Sequence, residues 1–179
     1  MQFYRCRICG ETHLGVLAPD RCPFCGAAQQ HLVPTEQFPE GLNDVQLTEL
    51  ERTDLETAIE IERGNARFYR ALGMRSDRPD LASAYKRLAG VEAEHCSLFC
   101  KLAKMVKPAD LMEPSSAIDD WCANIADSLA REKKAAAFYA EASGRATSPR
   151  IVEVLSAVSA VERDHIELDA RAAAIAACG

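Results

Sequence analysis

Val91-Glu92-Ala93-Glu94-His95 recurs seventy residues later as Val161-Glu162-Arg163-Asp164-His165, and the reading of these two stretches decides the fold. The same shift carries Glu62 onto Glu132, Phe68–Tyr69 onto Phe138–Tyr139 and Pro79 onto Pro149. Most other positions differ between the halves. Packing explains a repeated proline or aromatic residue, but it does not explain four repeated glutamates and two repeated histidines.

From Asn43 onward the chain is rich in Ala, Leu, Glu, Lys and Arg, with apolar residues spaced by three and four. That spacing predicts helices. The first is expected from Asp44 or Thr53, where Thr53 and Glu56 have capping-box spacing, to Leu72. The second is expected from Pro79 to before Pro108, and the third from between Ser116 and Asp120 to a cap at Gly144. The fourth is expected from Ser148, as N-cap, to about Ala177. Four helices of this length predict a four-helix bundle.

On these helices the repeated carboxylates project from apolar stripes. Glu62 shares its face with Leu55, Ala58, Ile59, Ala66 and Tyr69, and Glu132 shares its own with Ile125, Leu129, Ala136 and Tyr139. Glu92 lies with Leu88 and His95, and Glu162 with Leu155, Val158 and His165. Buried carboxylates that converge repel one another unless a cation compensates them. One Glu from each of two helices, with Glu-x-x-His from each of the other two, is the ligand set of a two-metal site in a ferritin-like bundle. Glu92 and Glu162 would bridge, Glu62 and Glu132 would be terminal, and His95 and His165 would each take one metal. Oxygen and imidazole ligands with open positions suit iron or manganese. Tyr69 and Tyr139, two turns after Glu62 and Glu132, could donate to a metal-bound carboxylate or simply pack. Asp169, four residues after His165, could orient that imidazole, although the matching position in the first half is Phe99.

The N-terminal stretch has a different composition. Cys6-Arg-Ile-Cys9-Gly and Cys22-Pro-Phe-Cys25-Gly are two CxxC knuckles, which together predict a tetrahedral four-thiolate site for one iron or one zinc. Residues 1–35 form the expected four-cysteine module, residues 36–43 a linker, and residues 44–179 the bundle. Cys96, Cys100, Cys122 and Cys178 have no knuckle spacing. In a chain with no export signal, eight cysteines argue for metal ligands or buried thiols over disulfides. The net charge of −6, from 21 basic and 27 acidic side chains, argues against nucleic acid as a partner. No run of eighteen apolar residues predicts a membrane span, and MQFYRCRICG has no apolar region of a signal peptide, so a cytoplasmic protein is expected.

With both metal signatures in place, the chain resembles the rubrerythrin family. YRCRICGETHLGVLAPDRCPFCGA, from Tyr4 to Ala27, looks like its rubredoxin-like module. IERGNARFY, VEAEH, REKKAAAFY and VERDH look like its four ligand-bearing helices. The resemblance implies a non-haem iron peroxidase. In it, a one-iron Fe(Cys)₄ centre takes electrons from a reductase or another rubredoxin and relays them to a diiron site that reduces hydrogen peroxide to water. It also implies a homodimer, with electrons crossing the subunit interface. Here the rubredoxin-like module precedes the bundle, as in the reverse-order members. Classical members carry a further Glu three residues after the terminal Glu of the third helix, and here that position is Ala135. That departure brings the site closer to a ferroxidase or oxygen-consuming centre. Iron storage or sensing with a structural zinc ribbon is the remaining alternative. The connection between the second and third helices just reaches along the bundle if the third helix starts near Asp119, and otherwise the hairpins would be exchanged between subunits.

Overall fold

Each knuckle is closed by a glycine whose backbone no other residue adopts cheaply. Gly10 has φ +89° and Gly26 φ +72°. Their amides donate to Cys6 O (2.8 Å) and Cys22 O (2.9 Å), turning each CxxC back on itself. The knuckles hang on a three-stranded antiparallel sheet in the order β2-β1-β3, formed by β1 (Gln2–Cys6), β2 (Thr12–Gly15) and β3 (Leu32–Pro34). Tyr4 pairs with His13 on one side of β1 and with Pro34 on the other. Apart from the four cysteines, the module buries only Ile8, Ala27 and Leu32, too little apolar surface to hold thirty residues without a metal.

The computed structural model describes residues 1–178; Gly179, the last residue of the expected bundle, lies outside the described residues. Four helices follow the module: α1 (Glu49–Gly73), α2 (Pro79–Ala103), α3 (Trp121–Arg145) and α4 (Pro149–Ala176). The start of α1 corrects the sequence reading. Its capping box is Thr48 with Glu51, not Thr53 with Glu56: Thr48 N–H donates to Glu51 Oε2 (2.8 Å) and Glu51 N–H to Thr48 Oγ1 (3.2 Å). Both pairs have the spacing, and tertiary structure chooses between them. The other oxygen of Glu51 accepts from the amides of Thr147 (2.9 Å) and Ser148 (2.7 Å), so one buried carboxylate caps α1 and α4 together. Ser148 is the N-cap of α4 but makes no side-chain cap bond itself. Asp120 caps α3 through the amides of Cys122 and Ala123, and Gly144 lies inside the last turn of α3 instead of ending it.

α1 pairs with α2 and α3 with α4, and the two hairpins face each other. The connection from α2 to α3 runs the length of the bundle, and a single chain supplies all four helices. Arg63 and Arg67 of α1 clamp this connection at Asp110 (2.6 and 2.7 Å), and Leu111 is buried beneath it.

The cysteine module lies on the bundle of its own chain. A Cβ on Gly26 would fall 2.8 Å from Val161 Cγ1, so the second knuckle sits directly on α4. Buried Arg150 donates to Ile8 O (3.0 Å), Arg7 pairs with Glu153 (3.1 Å) and Arg21 with Asp164 (2.7 Å).

One expectation is overturned. Cys122 and Cys178 form a disulfide. Cys122 opens α3 and Cys178 follows the end of α4, so the antiparallel hairpin brings the two to the same end of the bundle. A separation of 56 residues leaves no spacing signal for this pairing.

Candidate metal centres

The four sulfurs of Cys6, Cys9, Cys22 and Cys25 lie within 4.8 Å of one another, and all four residues are buried. Cys6 Sγ is 3.8 Å from Cys25 Sγ, and Cys9 Sγ is 3.8 Å from Cys22 Sγ. Four thiols so close cannot ionise together unaided. The neighbouring Cys22 sulfur pushes both Cys9 and Cys25 well above the ordinary thiol range. A cation bound by four thiolates removes that conflict. His13 and His31 are not part of this group.

Inside the bundle the structure brings all six sequence-nominated ligands together, in two overlapping groups. Glu62, Glu92, His95 and Glu162 form one, and Glu92, Glu132, Glu162 and His165 the other. Only Glu92 and Glu162 belong to both, as bridging ligands would. The geometry has near two-fold symmetry. His95 Nδ1 lies 3.3 Å from Glu92 Oε2 and 3.2 Å from Glu162 Oε1, while His165 Nδ1 lies 3.0 Å from Glu92 Oε1 and 3.0 Å from Glu162 Oε2. The terminal Glu62 and Glu132 lie 3.7 and 3.6 Å from their histidines.

One oxygen of each glutamate (Glu62 Oε2, Glu92 Oε1, Glu132 Oε2, Glu162 Oε1) is buried without a hydrogen-bond partner. Where an imidazole nitrogen is near such an oxygen, the approach lacks hydrogen-bond direction, as when two donors point at a common centre between them. Native cores rarely leave four carboxylate oxygens unsatisfied. Two metal ions would satisfy all of them.

The protonation pattern agrees. Burial, with Glu92 and Glu162 beside it, raises Glu62 far above the carboxylate range, and burial with Glu92 raises Glu132 to about 9. Burial works against charge on His95, but Glu162 and Glu92 overcome it and raise its value to about 10. His165 is raised by the same kind of contact. Burial is likewise overcome at Glu92 and Glu162, which are lowered with the two histidines beside them. Metal-free, the site thus sets two lowered carboxylates against two raised imidazoles. With two divalent ions it balances four carboxylates against four positive charges.

The two tyrosines cross between helices. Tyr69 of α1 donates to Glu132 Oε1 on α3, and Tyr139 of α3 donates to Glu62 Oε1 on α1 (2.5 Å). Asp169 makes none of its hydrogen bonds to His165. It accepts from Tyr85 and Ser128 instead.

Sequence reading missed the contact between the two centres. His95 Nε2 lies 2.9 Å from the carbonyl oxygen of Cys25, so a ligand of the bundle site hydrogen-bonds a ligand residue of the sulfur site. This contact lies within one chain.

A family model, "Rubrerythrin, rubredoxin-like domain", matches residues 4–32. Reverse rubrerythrin-1 of Clostridium acetobutylicum is 33% identical over 120 residues, covering 62% of this chain and 66% of the relative. The chain is thus similar to the rubrerythrin family in its reverse domain order, and its N-terminal module is rubredoxin-like. The match spans just under two thirds of that relative's length. No solved structure matches the chain. Both clusters fit iron or zinc in a rubrerythrin-like protein. Among the described residues no helix is long and apolar enough to cross a membrane.

Proposed function

We propose that this rubrerythrin-like chain is a peroxidase that reduces hydrogen peroxide to water, H₂O₂ + 2e⁻ + 2H⁺ → 2H₂O, with electrons relayed through its cysteine module. Cys6, Cys9, Cys22 and Cys25 would hold one iron, and the six bundle ligands would hold two. When bound, these irons supply the redox equivalents. The protein residues do the rest. The 2.9 Å contact between Cys25 O and His95 Nε2 carries the proposal, because it gives a short hydrogen-bonded route from one ligand set to the other. Glu92 and Glu162, which belong to both ligand groups, would hold both metals. Tyr69 and Tyr139 keep the terminal carboxylates oriented, and the apolar bundle limits water. An external reductase or rubredoxin is the proposed donor, the homodimer the proposed assembly, and relief of oxidative stress the proposed role.

Ala135 favours a second reading. It is buried where classical members place a further glutamate, which leaves a plain six-ligand site suited to ferroxidase or oxygen chemistry. Competition separates the two. Reduced protein exposed to peroxide and dioxygen together should be oxidised by peroxide first, and replacing iron by zinc in the cysteine site should stop turnover after one oxidation of the bundle site. Faster oxidation by dioxygen, or turnover unaffected by zinc, would favour the ferroxidase or storage reading.

A further inference from the structure

The two halves of the bundle match at every ligand, yet one side of the site carries a polar chain that the other lacks. Tyr69, at Glu132, is 3.2 Å from Ser128 Oγ, and Ser128 Oγ is 2.7 and 2.9 Å from the two oxygens of Asp169. Tyr85 donates to Asp169 Oδ1 (2.7 Å). Shifted by seventy residues, Ser128, Asp169 and Tyr85 correspond to Ala58, Phe99 and Leu155, all fully buried and apolar. The fold therefore tolerates an apolar version of this region. Burying a carboxylate and two hydroxyls instead carries a desolvation cost that packing does not require.

The chain leads outward. Asp169, Tyr85 and His165 lie at a groove of about 480 Å³ between α2 and α4, where apolar residues such as Leu88 and Ile175 are joined by the charged Asp80, Arg87 and Arg171. The His95 side, by contrast, is closed by the cysteine module. Electrons and the groove thus approach the site from opposite sides.

We infer that Asp169, Ser128 and Tyr69 form a proton relay from this groove to the Glu132 side of the metal site. Its task rests on the peroxidase reading, since each peroxide reduced consumes two protons. In the resting arrangement Ser128 donates to Asp169. When Asp169 takes a proton from solvent in the groove, its O–H turns to Ser128 and Ser128 turns to Tyr69. The proton then moves in one concerted passage: the Asp169 O–H bond breaks as a new Ser128 O–H forms, the former Ser128 proton passes to Tyr69, and the Tyr69 proton passes to Glu132 Oε1. One proton enters, one arrives, no electron moves, and both hydroxyls end neutral. Burial raises Asp169 above the ordinary carboxylate range, which favours its role as proton carrier. Tyr85 positions Asp169 by donating to it.

Ser128→Ala and Asp169→Asn test the relay. The first places in α3 the residue its counterpart position already holds, and the second keeps the side-chain shape. Iron-loaded, reduced protein is mixed anaerobically with hydrogen peroxide in weak buffer containing a pH indicator. Proton uptake and metal oxidation should both slow about tenfold or more in each variant. Formic acid, small enough for the groove, should restore Asp169→Asn but not Ser128→Ala, whose break is internal. In metal-free protein, the infrared carboxyl bands that vanish in Asp169→Asn should be shifted in Ser128→Ala. Proton uptake at the wild-type rate in both variants, or unshifted bands, would overturn the relay. Wild-type protein left unoxidised by peroxide would overturn the peroxidase reading, and the relay's task with it.

Discussion

In the metal-free bundle burial raises Glu62 and Glu132, and the neighbouring glutamates raise His95 and His165, with Glu132 at about 9 and His95 at about 10. Metals bind the deprotonated forms, so loading the site must expel protons. Calorimetric titration with a divalent metal at pH 7, in buffers of different ionisation enthalpy, should show protons released as the bundle site fills, and affinity should rise with pH. Release of none would show that the ligands do not carry the protons assigned to them. The sign for stability follows from the same shifts. The folded values of His95 (about 10) and Glu132 (about 9) exceed their unfolded ones, so what these groups lend the metal-free fold is full in acid and drains as pH rises through those values. Metal-free protein should melt lower at pH 9 than at pH 6, and bound metal should remove that slope. The ligand residues were legible in the sequence because a two-metal site forces Glu and His onto apolar stripes at repeated spacings. The hydrogen bond from His95 to Cys25 was not, because its acceptor is a backbone carbonyl with no residue signature. The register that aligns Glu62 with Glu132 also sets Ser128 against Ala58, so the polar chain did leave a signal: a hydroxyl inside an otherwise apolar stripe.

At the level of elements, Glu51 is the residue that ties two helix starts together. Burial opposes its charge, but the amides of Ser148, Thr48 and Thr147 outweigh it and hold the carboxyl at about 2. Glu51→Ala should cost about 2 kcal/mol, or about 4–8 °C in melting temperature, without changing metal content. An unchanged melting temperature would mean that the caps are replaced by water at no cost. Because the folded value is depressed, this stabilisation is complete above the ordinary carboxylate pKa and is lost only as pH falls from there toward 2. Helix existence and pairing were legible from periodicity and from the prolines at 79 and 149. The start of α1 was not, because Thr48/Glu51 and Thr53/Glu56 satisfy the same local pattern. Contact with the α3–α4 turn, distant in sequence, selects the first.

For the whole molecule, the disulfide from Cys122 to Cys178 closes the far end of the α3–α4 hairpin, away from both metal clusters. Loop-closure entropy over that separation gives about 4 kcal/mol as an upper figure. Reduction with dithiothreitol, or Cys122→Ser, should lower the melting temperature while leaving both metal sites loaded. Loss of bundle metal on reduction would show that the hairpin end and the site are coupled. The remaining architecture unites two centres in one chain. The module rests on α4 through Gly26, and its Cys25 carbonyl meets His95.

The direct test of that unity is anaerobic stopped-flow mixing of fully reduced, iron-loaded protein with hydrogen peroxide, following the visible bands of the two centres separately. Both centres should be oxidised within a single fast phase, and Glu92→Ala should abolish oxidation of both. A cysteine centre that stays reduced while the bundle site is oxidised would contradict the internal relay.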